Sequence, residues 1–240
     1  MIRFVPETGS TNTDLAARLK AGDFLPEGEW LVADRQTQGR GRSGRDWLDG
    51  AGNYMGSTVV YPRSGDPPAQ TLALVAGVTL HRTVAPCLLA GKEARLKWPN
   101  DLMVGRCKLA GILLERVADA VVVGIGVNLR SAPELPERCA IALAQCGDPP
   151  SRDEFAATLA RVFDAELQRW RDHGLAPLIS RWLEVAHETG TPLEIVEPDG
   201  ERLNGTFDGL DRDGSLLLRL ADGSRRAIHA GEVLLAPGRD

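Results

Sequence analysis

The chain has 240 residues, of which 43% are hydrophobic and 25% are charged, a composition typical of a globular protein with one large and one small domain. Its formal net charge of −5 at pH 7 argues against a nucleic-acid-binding protein, whose surface would carry a basic face. The sequence contains no apolar run of signal-peptide or transmembrane length, so it predicts a cytoplasmic protein that does not contact a membrane.

The elements predicted for the first 189 residues mix helices and strands. The sequence predicts a short helix that begins near Ser10. The signals are a hydroxyl residue at its start, an acid three residues after Thr11, and Gly22 at its end. Apolar residues at helical spacing predict a core helix over 69–85. The other predicted strands are 30–33, 54–61, 95–98, 110–115 and 120–128. Amphipathic helices are predicted over 153–171 and 175–187.

From Gly190 onward the pattern changes to short strands separated by aspartate-glycine turns. The predicted strands are 192–197, 202–208, 215–220, 225–229 and 232–236, with turns at 198–200, 211–214 and 221–223. Turns at this spacing are typical of a small antiparallel barrel. The sequence therefore predicts two domains, residues 1–189 and residues 190–240.

The four cysteines are Cys87, Cys107, Cys139 and Cys146, and they form no CxxC motif. With the histidines scattered as well, the sequence does not favour a zinc site and predicts free thiols in a reducing compartment.

Residues 39–47, which we call the Arg-Gly loop, contain three arginines and three glycines. Glycine lets the backbone approach a ligand closely, and the planar guanidinium matches phosphate oxygens with a fork of donors. A solvated basic loop is the plain alternative. In an acidic protein, this concentration of cations favours a binding site for a phosphate-bearing small molecule.

Two familiar nucleotide motifs do not account for the Arg-Gly loop. Gly39, Gly41 and Gly44 match GxGxxG, but residues 47–53 cannot begin the helix that a dinucleotide site requires. The acidic residue about 20 positions later is Asp66, which lies in a proline-rich turn. A Walker loop is excluded because Arg45-Asp46 stands where Lys-Ser/Thr is required.

Four further segments combine polar residues at the ends of predicted elements. Lys97–Asp101 places a cation, an indole, an amide and a carboxylate in five residues, where Pro99 ends a strand. Lys108 begins an apolar run, Gly124–Asn128 ends a buried strand, and Ser10–Asn12 begins the first helix. Each also has a structural interpretation, as a capped turn, a solvated strand end, a simple turn and a helix cap respectively.

Together these segments, in this order, resemble the motifs of the biotin protein ligases over nearly the whole chain. Residues 35–47 are similar to the adenylate-binding loop of that family, with Gln38 departing from its common Ala. The resemblance implies an α+β fold with a mixed sheet like that of class II aminoacyl-tRNA synthetases and biotin ligases, plus a small C-terminal SH3-like β-barrel. The N-terminal DNA-binding domain of bifunctional members is missing from the sequence, so we expect a monofunctional ligase that binds no DNA.

The resemblance also implies a reaction and its participants. Biotin, the substrate, would attack the α-phosphate of ATP in the presence of Mg²⁺, giving biotinyl-5′-adenylate. A lysine of a biotin carboxyl carrier protein, part of a biotin-dependent carboxylase, would then take up the biotinyl group. A homodimer is expected.

Roles for individual residues follow from the same resemblance. The expected catalytic residues are Lys108, Arg42 and Asp101, with Lys108 as a point charge between the biotin carboxylate and the α-phosphate. Asp101 would bind Mg²⁺ or orient the acceptor amine. The expected biotin-binding residues are Ser10, Thr11, Asn12, Gln36, Gly39, Arg40, Arg42, Lys108 and Gly111. The expected ATP- or adenylate-binding residues are Arg40, Arg42, Arg45, Trp47, Lys97, Asn100 and Asn128.

Two alternatives remain at this point. A lipoate ligase would use the same adenylation chemistry with a different acyl pocket. A non-enzymatic biotin-sensing protein should have lost Lys108 or the arginines, and this sequence retains both.

Overall fold

A computed structural model describes residues 1–48, 50–135, 138–198 and 200–236. The larger part combines four helices with seven strands within these ranges. The helices are α1 Thr11–Lys20, α2 Leu72–Val84, α3 Arg152–His173 and α4 Leu175–Glu184. The strands are β1 Ile2–Thr8, β2 Trp30–Gln36, β3 Tyr54–Val60, β4 Ala94–Lys97, β5 Asp101–Val104, β6 Cys107–Val117 and β7 Ala120–Val127.

The strands form one mixed sheet in the order β1-β2-β3-β7-β6-β5-β4. β1 is parallel to β2, and the other neighbours are antiparallel. Both faces are covered. α1 packs on one face, where Leu15 meets Leu31 and Val122, and the other helices cover the opposite face with a larger apolar core. Burial on both faces explains why the central strand carries the continuous run Val121–Val123 rather than an alternating pattern.

Most predicted elements of this domain are confirmed, with small shifts at their ends. β1 and β5 were not predicted. β1 lies at the edge of the sheet and contains Pro6, which an edge strand tolerates but which weakens the sequence signal for a strand. β5 has four residues and directly follows the Pro99 turn, so its pattern is too short to recognise.

The C-terminal part is an antiparallel sheet. Its strands are β8 Pro192–Val196, β9 Arg202–Leu210, β10 Leu216–Arg219, β11 Arg225–Ile228 and β12 Glu232–Leu235. All five predicted strands are confirmed, although Asp199 in the first predicted turn lies outside the described residues. The predicted barrel needs a correction, because the order β11-β10-β9-β8-β12 leaves the sheet open over the described residues. The free edge of β12 faces the larger domain, where its carbonyl oxygens bind side chains such as Lys97. The predicted boundary near residue 189 falls between α4 and β8.

The prediction of four free thiols is wrong for one pair. Cys107 and Cys139 form a disulfide, whereas Cys87 and Cys146 are free. The cause is a long-range pairing: the Lys108 amide donates to the Cys139 carbonyl (2.9 Å), and the Ile141 amide donates to the Lys108 carbonyl (3.0 Å). This places the segment around Cys139 beside the start of β6.

Across the described residues, no helix combines the length and apolar character that crossing a membrane requires.

Candidate active site

A buried row of uncharged polar side chains lies where α1, β2 and β3 meet; we call it the polar row. Gln36 Oε1 accepts from the Thr11 amide (2.8 Å) and from Thr11 Oγ1 (3.1 Å). Ser57 Oγ donates to Asn12 Oδ1 (2.6 Å) and lies 2.7 Å from Thr11 Oγ1. Ser10 is the N-cap of α1 and is buried, but its side chain makes no capping bond. The first turn of α1 is therefore held by strand side chains, and the Ser10 hydroxyl is left for the adjoining cleft.

Three glycines form the floor beside this row, and we call them the glycine floor. Gly111 on β6 pairs with Gly126 on β7, and Gly124 lies two residues before it. A Cβ atom at Gly124 would overlap Asn12 Oδ1, and one at Gly126 would lie 2.5 Å from the Trp47 ring. At Gly111 it would lie 2.9 Å from Lys108 Nζ. Gly124 and Gly126 require glycine because side chains of α1 and of the Arg-Gly loop lie directly on the backbone, whereas a side chain at Gly111 would displace the Lys108 ammonium of the same strand.

The Arg-Gly loop folds back on itself and places Trp47 over the glycine floor. The Gly41 amide donates to the Arg45 carbonyl (2.7 Å), and the Trp47 amide donates to the Gly39 carbonyl (2.9 Å). Ser43 (φ 56°) and Gly44 (φ 73°) make the reversal in left-handed conformations. The indole Nε1 of Trp47 is buried without a hydrogen-bond partner.

A carboxylate between two ammonium groups lies next to the loop. Asp101 Oδ1 is 2.6 Å from Lys108 Nζ, and Asp101 Oδ2 is 3.0 Å from Lys97 Nζ. Burial alone would raise the pKa of Asp101, but the charges and hydrogen bonds of Lys108 and Lys97 hold it below its ordinary value. Asp101 is therefore ionised at neutral pH, and its charge fixes the positions of both lysines.

Arg42 and Asn100 connect the loop to the sheet. Arg42 Nη1 donates to Asn100 Oδ1 (3.1 Å). The Asn100 side chain in turn donates to the Ile112 carbonyl (2.8 Å), and the Asn100 carbonyl accepts from the Ile112 amide (2.9 Å). The turn after the cis Trp98–Pro99 bond is thereby fixed against β6, with Arg42 over it.

Two neighbouring cavities, which share Arg42, Trp47 and Lys108 in their linings, receive these side chains. A narrow cleft of about 60 Å³ lies over the polar row and the glycine floor, and Arg40, Arg42 and Lys108 close its other side. A larger cavity of about 400 Å³, which we call the cationic cavity, lies between the two domains. Its lining includes Arg42, Arg45, Trp47, Lys97, Arg106, Lys108, Asn128 and Arg138.

Every predicted site residue except Gly39 lines one of these cavities, and Gly39 holds Trp47 by its carbonyl. Arg40 also lies 3.5 Å from Glu115. Asn128 is buried, its side chain donates to the Ile141 carbonyl (3.3 Å), and its Oδ1 has no partner. The structure thus brings together the residues that the sequence placed in separate motifs.

Besides Arg106 and Arg138 of the cationic cavity, the sequence analysis missed three residues that organise the site, namely Ser57, Glu115 and Glu232. Ser57 is, with Thr58, one of two buried hydroxyl residues in a strand that is otherwise mostly apolar, which is a signal that could have identified it. Glu115 accepts from Asn12 Nδ2 (2.8 Å) and bridges the polar row to Arg40. Glu232, on β12, forms ion pairs with Arg45 and Arg138, and nothing in its local sequence indicates this.

The predicted Mg²⁺ ligand, Asp101, does not present a free oxygen, because each of its oxygens is paired with a lysine. Within the described ranges no group of three or more His, Cys, Asp or Glu side chains could hold a metal ion. The metal assignment stays a prediction that these contacts do not favour.

Comparisons with known proteins agree with this geometry. Residues 5–130 match the Biotin/lipoate A/B protein ligase family, and residues 194–235 match the Biotin protein ligase C terminal domain. The chain is 37% identical to a biotin–[acetyl-CoA-carboxylase] ligase from Paracoccus denitrificans, over 94% of this chain and 97% of the relative. It is 35% identical to the same kind of ligase from Mycobacterium tuberculosis, over 96% and 87%. The biotin protein ligase from Aquifex aeolicus in complex with biotin and ATP superposes with a TM-score of 0.85, at 26% identity and 99% coverage of both chains.

Proposed function

This chain belongs to the Biotin/lipoate A/B protein ligase family, and we propose from that membership that it ligates biotin to a carrier protein in two steps. It is an ATP-dependent enzyme that forms biotinyl-5′-adenylate and transfers the biotinyl group to a lysine of a carboxylase carrier protein. The observation that carries this function is the juxtaposition of an uncharged, buried polar row with a set of fixed cations.

The polar row suits the ureido ring of biotin. A cyclic urea is uncharged and presents two N–H donors and one carbonyl acceptor, so hydroxyl and amide groups match it and charged groups do not. Ser10, Thr11 and Gln36 supply such groups at the closed end of the cleft. The glycine floor would then lie under the ring system, and the valeryl chain would run toward Lys108.

The first step needs positive charge where the biotin carboxylate meets the α-phosphate. As the carboxylate oxygen forms its bond to phosphorus, the bond from phosphorus to the pyrophosphate oxygen breaks, and negative charge gathers on the phosphoryl oxygens. Lys108 reaches this position, with Asp101 fixing its ammonium 2.6 Å away and Trp47 beside it at 5.9 Å from the ring centre. Because the ammonium group is already in place, it stabilises the charge of the transition state without reorganisation of the protein.

Asn128 and Trp47 are suited to the adenylate in the cationic cavity. The unpartnered Asn128 Oδ1 can accept from an amino group such as that of adenine, and the Trp47 Nε1 can donate. Arg42 and Arg45 line the same cavity and would bind the phosphates. Closing the Arg-Gly loop over them would exclude water from the mixed anhydride, which is hydrolysable.

In the second step the lysine amine of the carrier attacks the acyl carbon of the anhydride, and AMP leaves. Asp101 is the carboxylate closest to Lys108, and a role in orienting that amine is part of this proposal. Mg²⁺ bound to the triphosphate would neutralise phosphate charge. Asp101 is the residue predicted to hold it, although each of its oxygens is paired with a lysine. Lys108, Arg42 and Arg45 position the reacting carboxylate and the phosphates.

The biological setting is also proposed. A homodimer is supported by β1, whose outer edge is unpaired in the described sheet and whose Phe4 side chain is 41% exposed. A cytoplasmic location is supported by the requirement for ATP, whereas the Cys107–Cys139 disulfide is the kind of bond that a reducing compartment disfavours.

The function is tested by incubating the protein with ATP and either biotin or lipoate and identifying the acyl-adenylate by mass. We expect biotinyl-adenylate and, on addition of a carboxylase carrier protein, its biotinylated lysine. Lipoyl-adenylate as the main product would assign the alternative ligase, and the absence of any adenylate would indicate a binding protein.

A further inference from the structure

The strand β12 binds cations of the catalytic domain with both its backbone edge and a side chain. In the described part of the chain β12 pairs with β8 alone, so alternate carbonyls on its outer edge accept no bond from another strand. Arg106 Nη2 donates to the Leu235 carbonyl (2.7 Å), and Lys97 Nζ donates to the Val233 carbonyl (3.0 Å). Arg42 Nη2 donates to the Gly231 carbonyl (3.4 Å), which precedes the strand. The acceptors therefore follow the two-residue period of the strand.

Glu232 adds a carboxylate to this edge and joins two parts of the catalytic domain. One carboxylate oxygen forms an ion pair with Arg45 of the Arg-Gly loop. The other lies 2.9 Å from Nη2 of Arg138, which belongs to the segment pinned by the Cys107–Cys139 disulfide. Partial burial acts to raise the pKa of Glu232, but Arg45, Arg138 and Lys97 hold it below its ordinary value. Glu232 thus carries a negative charge at neutral pH.

The two arginines come from two different segments that line the cationic cavity. Arg45 belongs to the loop that carries Trp47, and Arg138 belongs to the wall next to Asn128. A contact that binds both segments at once opposes their separation and so resists opening of the cavity. The same contact comes from the C-terminal sheet, which contributes Gly231–Leu235 to the lining and none of the predicted ligand-binding residues.

We propose that Glu232 is a positioning residue that holds the cationic cavity closed by clasping Arg45 and Arg138, and thereby retains the acyl-adenylate until the carrier arrives. This inference rests on the proposed function, because it concerns the intermediate of that reaction. It gives the C-terminal sheet a defined kinetic role: it slows loss of the intermediate. Glu232 does not touch the polar row, so biotin binding itself does not depend on the clasp.

The test measures release of the intermediate from the full-length protein. Wild type, Glu232→Gln, Glu232→Asp and the control Glu194→Gln are loaded with labelled biotin and ATP, separated from free ligand and diluted into excess unlabelled biotin. Glu194 lies on β8, opposite Leu234 of β12. Its carboxylate pairs with Arg202 and does not line the cavity. We expect Glu232→Gln to release biotinyl-adenylate about fivefold to tenfold faster, Glu232→Asp to be intermediate, and the control to match wild type.

Two further measurements separate the clasp from a general structural effect. Because ion pairs are screened by salt, raising the ionic strength should speed release from wild type by a larger factor than from Glu232→Gln, which keeps only the ion pairs to the phosphate. The biotin affinity without ATP should stay within about twofold of wild type. Arg138→Gln should reproduce the faster release from the other side of the clasp, and it replaces Glu232→Gln if that variant does not fold.

Release at the wild-type rate from a folded Glu232→Gln or Arg138→Gln protein overturns the proposal, as does an equal acceleration in Glu194→Gln. A wild-type protein that forms no adenylate would instead contradict the proposed function, so the two failures are distinguishable.

Discussion

The Lys108 ammonium lies 2.6 Å from Asp101, whose second oxygen holds Lys97 at 3.0 Å, so one buried carboxylate fixes two cations of the site. Two positive charges near each other would repel and spread without it. The carboxylate between them allows Lys97 to line the cationic cavity and Lys108 to stand where that cavity adjoins the narrow cleft, the place where the reacting carboxylate and phosphate would meet.

Lys108→Ala should abolish adenylate formation and leave the fold intact. The change removes a preorganised positive charge from the reacting phosphate, and losing one such group costs about 100-fold to 1,000-fold in rate. The side chain is 36% exposed, so truncation opens little space in the core. Biotin-dependent ATP–pyrophosphate exchange measures the effect, with Lys20→Ala at the end of α1 as a control. Near-normal exchange by Lys108→Ala would contradict the role given to this residue.

Gly124→Ala should weaken biotin binding by displacing Asn12. The new methyl group would overlap Asn12 Oδ1, and forcing a buried side chain to move costs about 1–3 kcal/mol. Isothermal titration with biotin measures the change. Gly9→Ala is a matched control, because a methyl group there would have its nearest neighbour at 3.9 Å. Equal affinities in both variants and wild type would show that Asn12 does not shape the biotin site.

Arg42→Gly should allow biotinyl-adenylate to escape. Arg42 ties the Arg-Gly loop to Asn100 and to the Gly231 carbonyl, so its loss makes closure less favourable. The escaped anhydride would then modify exposed lysines on bystander proteins, which a blot for biotin detects. Ser43→Gly adds flexibility to the same loop without removing a cation, and it should label only the carrier. If Arg42→Gly is equally selective, Arg42 does not anchor the loop.

Stability should fall as the pH drops from about 6.5 to about 4, in part through His187. Burial, followed by the charges of Lys97 and Arg95, lowers the pKa of His187 from 6.5 to about 4. Between these values the unfolded chain takes up a proton that the folded protein does not, so the contribution of neutral His187 is complete above pH 6.5 and is lost toward pH 4. Thermal melts from pH 4.5 to 7.5 should show a shallower slope for His187→Gln than for wild type. His173→Gln, at an exposed position on α3, should keep the wild-type slope. A wild-type slope in His187→Gln would contradict this source of the dependence.

Thiol counting should detect two free cysteines before reduction and four after it. Alkylation of the denatured protein followed by mass measurement gives both numbers, and Cys139→Ser should give three thiols in either condition. Because the bond closes a long loop, its reduction should lower the free energy of unfolding by about 2–4 kcal/mol. Four thiols in the unreduced protein would show that Cys107 and Cys139 are not joined.

Local patterns in the sequence were enough to predict most of the fold and most of the site. Apolar runs such as Trp30–Ala33 and the turn residues after Gly190 indicate local strands and turns, because they depend on residues that are close in sequence. These elements are confirmed. Contacts over long distances in sequence leave no such pattern. Glu232 meets Arg45 across 187 positions, and Cys139 reaches Cys107 through a loop whose path depends on the finished sheet. The open edge of the C-terminal sheet contacts the larger domain, which is also a contact over a long distance in sequence. The spacing of the turns carries no information about that contact, so the sequence predicted a closed barrel.

The glycine floor sets a direction for changes in acyl specificity. Glycine is the smallest residue, so any substitution at Gly111, Gly124 or Gly126 would push Lys108, Asn12 or Trp47 outward and reduce the space in the cleft. A variant that accepts a bulkier acyl acid must therefore gain its space from the walls or the roof, where Leu113 and Trp47 stand. A variant that prefers a thinner, unbranched acid could instead be sought at the floor itself. Substitutions in the glycine floor can thus only narrow the range of acyl acids that this protein accepts. A wider range requires smaller residues at positions such as Leu113 or Trp47.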